Sequence, residues 1–372
     1  MRVEFLKEHF RLPWISSFIF CKLSEQDKAQ ASDFLRVSLV SLNETSMPKN
    51  SLPIHQFPDP KNQTQKLAVC VKPFHFQFNR ALWLIEFIEM YRIQGAEHFI
   101  FYNHTLGPDV EKAIKYYIKL GIVSLLNWNL PLRSQKDIRT EAMFTAINDC
   151  NLRAVNRFDL VAMVDIDEFI MPQKAPNLTA LLQPHLSKKF GSFNFRNVFH
   201  YLYWENNTDT LIQFYAKNTS LPYLLTQMKL RRVVVSQNHG TRSKYIVRPN
   251  FVTNAGNHQV WKYVKGESTN CLSDTWILTT LIIEGSGTNI CEILNSTKSQ
   301  VSYIFTSLVA EGHLSKIVTN STEQLLEGVG SSRTNVYSQN SSFSKQSAAC
   351  VLMIINCPIC LKKRSLAWPK KV

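Results

Sequence analysis

A chain of 372 residues, 45% of them hydrophobic, is long enough to bury one large core or two smaller ones, which excludes a disordered protein. Its 42 Lys and Arg against 28 Asp and Glu give a formal charge of +14. This charge suits anionic partners such as nucleotide sugars, acidic glycans, membrane surfaces or nucleic acid. The basic residues form no long tract, however, so the composition argues against nucleic-acid binding.

The first 65 residues are polar, contain prolines and show only weak periodicity, which is typical of a stem or a loosely packed lead-in. Residues 14–20 form an apolar segment, but a membrane-spanning helix needs about 20 such residues. A second apolar segment, 348–361, is also short and contains a proline. No signal anchor is evident in either place.

From residue 66 onward, apolar segments of strand length alternate with segments of helical periodicity. Strands are predicted at 67–71, 98–102, 122–126 and 159–164, and helices at 80–94, 107–120 and 139–156. Gly95 and Gly121 follow the first two helices, as expected for helix ends. This alternation predicts an α/β fold with a mainly parallel sheet and helices on both faces.

The pattern changes to short, aromatic-rich strands and turns between about residues 192 and 262. Aromatic side chains with polar tips suit sugar rings, although packing on one sheet face explains any single one equally well. After about residue 268 the strand signals become irregular. We therefore divide the chain into a lead-in (1–65), an α/β domain (66–268) and a divergent C-terminal region (269–372).

A cluster of carboxylates, Asp165, Asp167 and Glu168, follows the fourth predicted strand. In an extended segment Asp165 and Asp167 project to the same side, and ligands of parallel sheets bind beyond the carboxyl ends of the strands. Mg²⁺ and Mn²⁺ take one or two such carboxylates and complete their shell with water and substrate phosphates. An Asp-x-Asp alone is also common in solvated turns, but its place at a strand end favours a metal and nucleotide site.

Basic residues near this edge are candidates for contacts with a donor nucleotide. The loop after the first strand carries Lys72 and His75, and Arg80 opens the first helix. Lys244 and Arg248 flank a later predicted strand. Each could contact donor phosphates, and a solvated surface position explains each equally well.

Glycosylation sequons and cysteines bear on the compartment. Asn-x-Ser/Thr sequons are frequent and favour a secretory-pathway protein, although a chain rich in Asn, Ser and Thr can also generate them without function; they lie at Asn43, Asn62, Asn103, Asn177, Asn206, Asn218, Asn295, Asn320 and Asn340. The eight cysteines fit either interpretation. Cys357 and Cys360 have no second pair nearby, which argues against a zinc site.

Several ordered segments of the chain resemble glycosyltransferase family 92, formerly a domain of unknown function, which includes β-1,4-galactosyltransferases acting on fucose-bearing N-glycan cores. The two longest are EFIEMYR at 86–92 and VDIDEF at 164–169. The others lie at 95–99, 102–103, 147–150, 244–249 and 256–258. Together they span about residues 66 to 265.

The resemblance implies a GT-A fold, a nucleotide-sugar donor such as UDP-galactose, a glycan acceptor, a divalent metal such as Mn²⁺ and inversion at the anomeric carbon. By motif, Asp165 would contact the donor ribose or the metal, and Asp167 would be the principal metal ligand. His258 would complete the metal shell, although a lone histidine is often structural. The resemblance also implies a Golgi enzyme associated with the membrane.

A carboxylate must accept the proton of the acceptor hydroxyl in such a reaction. Glu205 is the first candidate for this base and Glu168 the second, although either could be an ordinary surface carboxylate. Neither the signal anchor nor the late His-Tyr-Arg-like segment of the family is evident in this sequence. The alternatives are therefore a catalytically impaired, glycan-binding relative with the same fold, or a hydrolase using paired carboxylates.

Overall fold

The structure, a computed structural model, describes residues 2–8, 10–21, 36–40, 48, 51–62, 65–130, 136–172, 174–202, 204, 224–229, 231–264, 268–279 and 350–354. The α-helices are α1 (Ala81–Ile93), α2 (Pro108–Lys119), α3 (Met143–Ala154), α4 (Leu178–Leu182) and α5 (Leu225–Met228). The strands are β1 (Arg2–Phe5), β2 (Ile15–Phe20), β3 (Arg36–Val37), β4 (Leu52–Pro53), β5 (Gln65–Val71), β6 (His98–Asn103), β7 (Val123–Asn127), β8 (Phe158–Val164), β9 (Glu168–Pro172), β10 (Phe190–Phe199), β11 (Lys244–Val247), β12 (Val252–Ala255), β13 (Val260–Tyr263), β14 (Ser268–Thr279) and β15 (Cys350–Ile354).

The central feature is an eight-stranded sheet in the order β7-β6-β5-β8-β11-β10-β14-β9. Strands β7, β6, β5 and β8 are mutually parallel, and α1, α2 and α3 connect them in chain order. Strand β11 runs antiparallel to both β8 and β10, and β9 runs antiparallel to β14. The predicted α/β fold with a mainly parallel sheet is confirmed.

Alternate residues of the central strands pack against helices on opposite faces of the sheet. Leu67 and Val69 of β5 belong to a buried cluster with residues of α1 and α2. Ala68 and Cys70 belong to a second cluster, with Ala146 and other residues of α3. Burial on both faces explains why these strands are nearly continuous apolar runs in the sequence.

A disulfide between Cys70 and Cys150 joins β5 to α3. Both residues are buried, and their Cα atoms lie 6.3 Å apart, as expected for a disulfide. The bond crosses from the centre of the sheet to the helix that covers one face. It therefore fixes α3 directly beside the strand that leads to the predicted site.

The third helix begins later than the sequence predicts. A helical start at Arg139 is wrong, because Thr140, Glu141 and Ala142 have left-handed φ values of 40°, 51° and 58°. L-residues rarely adopt this conformation, and three in succession interrupt a right-handed helix. Helix α3 therefore starts at Met143, and the preceding segment forms a separate turn.

The described part of the predicted lead-in includes strands that pack on the α/β core. Strands β1 and β2 pair antiparallel, and β15 pairs parallel to β2. Thr145 of α3 donates a hydrogen bond of 2.7 Å to Ser16 of β2, and Phe18 lies in a buried cluster with Phe144. At the other end of the domain, β14 extends the main sheet beyond residue 268.

Among the described residues, no helix has both the length and the apolar composition needed to cross a bilayer.

Candidate active site

The register of three strands brings the acidic cluster and two lysines together. Val71 at the end of β5 pairs with Val164 at the end of β8, so Lys72 and Asp165 leave the sheet side by side. Strand β11 runs the opposite way and begins at this same edge with Lys244. The Asp165 Oδ2 atom consequently lies 2.8 Å from Lys72 Nζ and 3.0 Å from Lys244 Nζ.

Lys244 is the centre of this network. Its buried ammonium group lies 3.0 Å from Asp165 Oδ2, 3.1 Å from Glu168 Oε2 and 3.2 Å from Asn257 Oδ1. Three acceptors therefore match its three N–H donors. Burial alone would lower the pKa of Lys244, but the two carboxylates outweigh burial and raise it, so this lysine is charged.

Asp165 is held in its ionised form. Burial would raise its pKa, but the ammonium groups of Lys244 and Lys72 outweigh burial and hold the pKa below its ordinary value. The lysines occupy Oδ2, whereas the buried Oδ1 atom has no hydrogen-bond partner in the described part of the chain. A buried, unpartnered carboxylate oxygen is costly unless a ligand satisfies it.

Glu168 closes the turn between β8 and β9. Its Oε2 atom accepts a hydrogen bond of 2.8 Å from the Asp165 N–H, and its own N–H donates to the Asp165 carbonyl at 3.0 Å. Burial and the nearby charges of Asp165 and Asp167 raise the pKa of Glu168 to about 7, against the opposing effect of Lys244. Glu168 thus fixes the backbone that carries both aspartates.

Tyr91 of α1 stabilises the same turn through its hydroxyl group. Its hydroxyl donates to the Glu168 carbonyl at 3.0 Å and accepts from the Ile170 N–H at 3.1 Å, and the side chain is buried.

We expect Tyr91→Phe to lower the free energy of unfolding by about 1–3 kcal/mol, because it leaves the Ile170 N–H and the Glu168 carbonyl buried without this partner. Urea denaturation of the two proteins measures the effect. An unchanged unfolding midpoint would show that the hydroxyl does not hold the turn.

Asp167 faces the same space but has different neighbours. Burial, together with the charge of Asp165, raises its pKa. Burial lowers the pKa of Arg80, and the negative charge of the nearby Asp167 carboxylate partly offsets this effect. The Arg80 guanidinium also stacks on Trp83, 4.1 Å from the ring centroid. Asp167 therefore lies near a cation without being fully neutralised by it.

The three carboxylates and Lys72 line one cavity of about 250 Å³. Its wall combines the three carboxylates with basic, amide and aromatic side chains: Lys72, Arg139, Thr140, Met143, Asp165, Asp167, Glu168, Asn197, Phe199, Arg242, Asn257 and His258. A polar cavity at the carboxyl ends of parallel strands is the usual place for a ligand in this class of fold.

His258 lies on the cavity wall as a neutral imidazole. Burial and the positive charge of Lys244 lower its pKa to about 4. Its Nδ1 donates to the Ser243 carbonyl at 3.2 Å, so Nε2 accepts from the Asn257 amide at 2.9 Å. Asn257 therefore bridges Lys244 and His258. Neutral imidazole is the form that binds metals.

Other predicted site residues lie elsewhere or cannot be placed. The His75 ring bonds the Pro73 carbonyl at 2.9 Å, and His75 is not part of the cavity wall. Arg248 follows the far end of β11, where it donates to the carbonyls of Lys188 and Phe190 at 3.1 and 3.3 Å, so it is not grouped with the other basic residues. Glu205 lies outside the described residues.

The residues present fit a divalent cation held partly by the substrate. Within the described ranges, no group of three His, Cys, Asp or Glu side chains has the geometry of a metal site. However, Asp165 Oδ1 has no hydrogen-bond partner among the described residues, and Asp167 lines the same cavity. Two carboxylates suffice for Mg²⁺ or Mn²⁺ when phosphates and water supply the other oxygens.

Sequence reasoning missed two arginines on the cavity wall, Arg139 and Arg242. A signal for Arg242 existed, because it precedes Lys244 by two residues and so lies on the same side of an extended segment. Arg139 gave no such signal, since its position depends on the left-handed turn that follows it.

A sequence model of glycosyltransferase family 92 matches residues 65–281. Beta-1,4-galactosyltransferase galt-1 from Caenorhabditis elegans is 25% identical over 273 residues, which cover 70% of this chain and 58% of that protein. A second family 92 protein from the same organism is 24% identical over 234 residues, or 60% of this chain and 44% of the relative. The chain thus spans about half the length of the curated relatives it matches.

Similarity to solved structures is lower. The mannosyltransferase PcManGT from Pyrobaculum calidifontis, in complex with GDP-Man and Mn²⁺, is 12% identical, with a TM-score of 0.31 over 72% of this chain and 82% of that one. Glucosyl-3-phosphoglycerate synthase from M. tuberculosis is 12% identical, with a TM-score of 0.28 over 65% and 80%. Scores this low carry no argument about function. The family match, in contrast, covers more than half of the chain and contains the whole cavity wall, and the protein belongs to glycosyltransferase family 92.

Proposed function

We propose that this protein is a metal-dependent glycosyltransferase that moves a sugar such as galactose from a nucleotide-sugar donor to a glycan acceptor, with inversion at the anomeric carbon. The observation that carries the proposal is the pair Asp165 and Asp167, which share one cavity at the carboxyl end of β8. The family match supports sugar transfer, and the name of its relative galt-1 supports galactose as the sugar.

In this proposal Asp165 and Asp167 hold the metal, with His258 as a further candidate ligand. The ion, when bound, supplies positive charge that stabilises the departing diphosphate. Lys72 and Lys244 keep Asp165 ionised and fix its Oδ2 atom, so that Oδ1 is the oxygen left for the ligand.

The catalytic base would accept the proton of the acceptor hydroxyl. Glu168 has a pKa raised to about 7, so it can exchange a proton near neutral pH. One of its oxygens is nevertheless engaged by the Asp165 N–H and Lys244. We therefore assign Glu168 to holding the turn and keep Glu205 as the first candidate base.

A place in the secretory pathway, with association to the Golgi membrane, completes the proposal. The buried disulfide between Cys70 and Cys150 supports it, because structural disulfides form mainly in oxidising compartments. The frequent glycosylation sequons point the same way.

Release of nucleoside diphosphate from a panel of UDP- and GDP-sugars tests this function. We expect turnover with one donor and an N-glycan acceptor in Mn²⁺, loss of turnover in EDTA, and recovery when Mn²⁺ is restored. Product analysis by NMR would give the anomeric configuration. Folded protein that releases nucleotide from no donor would contradict the proposal.

A specific observation favours one alternative, a catalytically impaired relative that binds its ligand without turnover. Two lysines already neutralise Asp165, and the described residues hold no three-ligand metal site. This alternative predicts saturable binding of a nucleotide or glycan with no release of nucleoside diphosphate in Mn²⁺. The same panel, run together with calorimetric binding, separates the two functions.

A further inference from the structure

Besides Arg80, four basic side chains lie at the edge where the acidic cluster sits, and two of these four are already neutralised. Lys72 forms an ion pair with Asp165, and Lys244 forms ion pairs with Asp165 and Glu168. A charge engaged in this way contributes less to binding a second anion, because the ligand must compete with the carboxylates. The two lysines are therefore better suited to holding the site than to holding phosphate.

The other two, Arg139 and Arg242, are in a different state. Both side chains line the cavity and are exposed, and within the described part of the chain neither forms an ion pair with a carboxylate. No carboxylate of the described residues therefore offsets the positive charge of either guanidinium group. A planar guanidinium suits the oxygens of a phosphate, which it binds through two parallel hydrogen bonds.

Arg139 is held in place by an aromatic ring from another part of the chain. Its guanidinium lies 4.5 Å from the centroid of Phe10, in the turn between β1 and β2. Phe10 is itself 58% exposed and is not part of a hydrophobic core. Residue 10 also precedes the family-matched range of 65–281. The contact therefore links the cavity to a segment outside that range.

The backbone that carries Arg139 is fixed as well. The next residues, Thr140 to Ala142, are all left-handed. Glu141 secures this turn through a buried contact of 2.9 Å between its Oε2 atom and His104 Nε2, and its carbonyl accepts a 2.8 Å hydrogen bond from Trp128. Conformations this costly persist only where surrounding contacts enforce them, and such places are frequently ligand sites.

We infer that Arg139 and Arg242 bind the diphosphate of the donor nucleotide, and that Phe10 is a positioning residue for Arg139. The inference rests on the proposed function and adds the two residues that contact the phosphates. It also gives the N-terminal hairpin a part in donor binding.

Binding of UDP, GDP and inorganic pyrophosphate in Mn²⁺, measured by calorimetry, tests the inference. We expect Arg139→Met and Arg242→Met each to raise the Kd of the nucleotide and of pyrophosphate by about tenfold or more, because each removes charge-assisted hydrogen bonds. Phe10→Leu should raise the Kd by about threefold, as expected for an exposed cation–π contact. Donor KM should rise in parallel, with little change in kcat.

A double-variant cycle separates positioning from a general structural effect. If Phe10 acts through Arg139, adding Phe10→Leu to Arg139→Met should change the Kd no further. The matched control is Arg2→Met, which removes another arginine of the same hairpin that stacks on a phenylalanine, 4.4 Å from the centroid of Phe20. This control should leave nucleotide binding unchanged.

The outcomes distinguish this inference from the function on which it rests. If the natural chain binds none of the three probes and turns over no donor, both fail. If it binds a nucleotide but Arg139→Met and Arg242→Met behave like Arg2→Met, only the arginine assignment is wrong. A loss confined to acceptor affinity, with donor binding intact, would also overturn it and assign the arginines to an acidic acceptor.

Discussion

Replacing Lys244 by methionine is expected to lower the free energy of unfolding by about 3–5 kcal/mol, the range measured when one partner of a buried ion pair is removed. Lys244 is buried, and its ammonium group contacts Asp165, Glu168 and Asn257 at 3.0–3.2 Å. Methionine would fill much of the volume but would leave Asp165 and Glu168 without this cation. This is a large part of the total stability of a typical domain, about 5–15 kcal/mol.

The pH dependence of this loss identifies its cause. The ion pair with Glu168 exists only when Glu168 is ionised, so the stability deficit of Lys244→Met should be larger at pH 8 than at pH 5, where Glu168 is protonated in both proteins. Adding Glu168→Gln should recover part of the loss at neutral pH. Denaturant titrations at pH 5 and pH 8 measure both effects.

Lys262→Met is the matched control. Lys262 also forms an ion pair, at 3.3 Å from Glu4, but its side chain is 53% exposed, and pairs of this kind contribute about 0–1 kcal/mol. An equal loss in the two variants would show that burial of the Lys244 network does not determine its contribution.

The sequence predicts the α/β half of the fold because its evidence is local. The apolar runs of β5 and β8 and the helical periodicity of α1 and α2 are each visible within a short window. Parallel strands then place Lys72 and Asp165 at one edge without further information. That part of the site follows from chain order alone.

The rest of the site depends on contacts between distant residues. Lys244 pairs with Asp165 because β11 inserts antiparallel between β8 and β10, and no local pattern encodes that register. The disulfide shows the same limit, since Cys70 and Cys150 are 80 residues apart and eight cysteines allow many pairings.

The left-handed turn before α3 shows a second kind of limit. Positive φ is expected at glycine or asparagine, yet Thr140, Glu141 and Ala142 adopt it here. Tertiary contacts of Glu141 with His104 and Trp128 override the local preference. For this reason the sequence pattern predicts a regular helix that starts at Arg139 and does not indicate that Arg139 lines the cavity.

Asp167→Asn is expected to lower turnover by about 100-fold or more while leaving the fold intact. Replacing a residue that hydrogen-bonds a metal ligand typically lowers metal affinity or activity 10- to 100-fold, and loss of the ligand itself should lower activity at least as much. Asparagine has the shape of aspartate but lacks the charge that a bound divalent cation requires. Initial rates in saturating Mn²⁺, with the donor identified from the sugar panel, measure the effect.

The stability of Asp167→Asn should not fall with its turnover, and this separates an effect on catalysis from an effect on folding. Burial and the neighbouring charge of Asp165 raise the pKa of Asp167, so its ionised form is disfavoured in the folded protein. The Asp167→Asn variant, whose side chain is neutral, should therefore unfold at the same or a slightly higher denaturant concentration than the natural chain.

Asp159→Asn is the control, because Asp159 is exposed and lies on strand β8, close to the end opposite the turn that carries Asp167. We expect this variant to keep its turnover. If Asp167→Asn also retained full, Mn²⁺-dependent turnover, Asp167 would have no part in holding the metal, and the cation would have to be bound through Asp165 and other groups. A loss of turnover accompanied by unfolding would instead place Asp167 among the residues that hold the turn, with Glu168 and Tyr91.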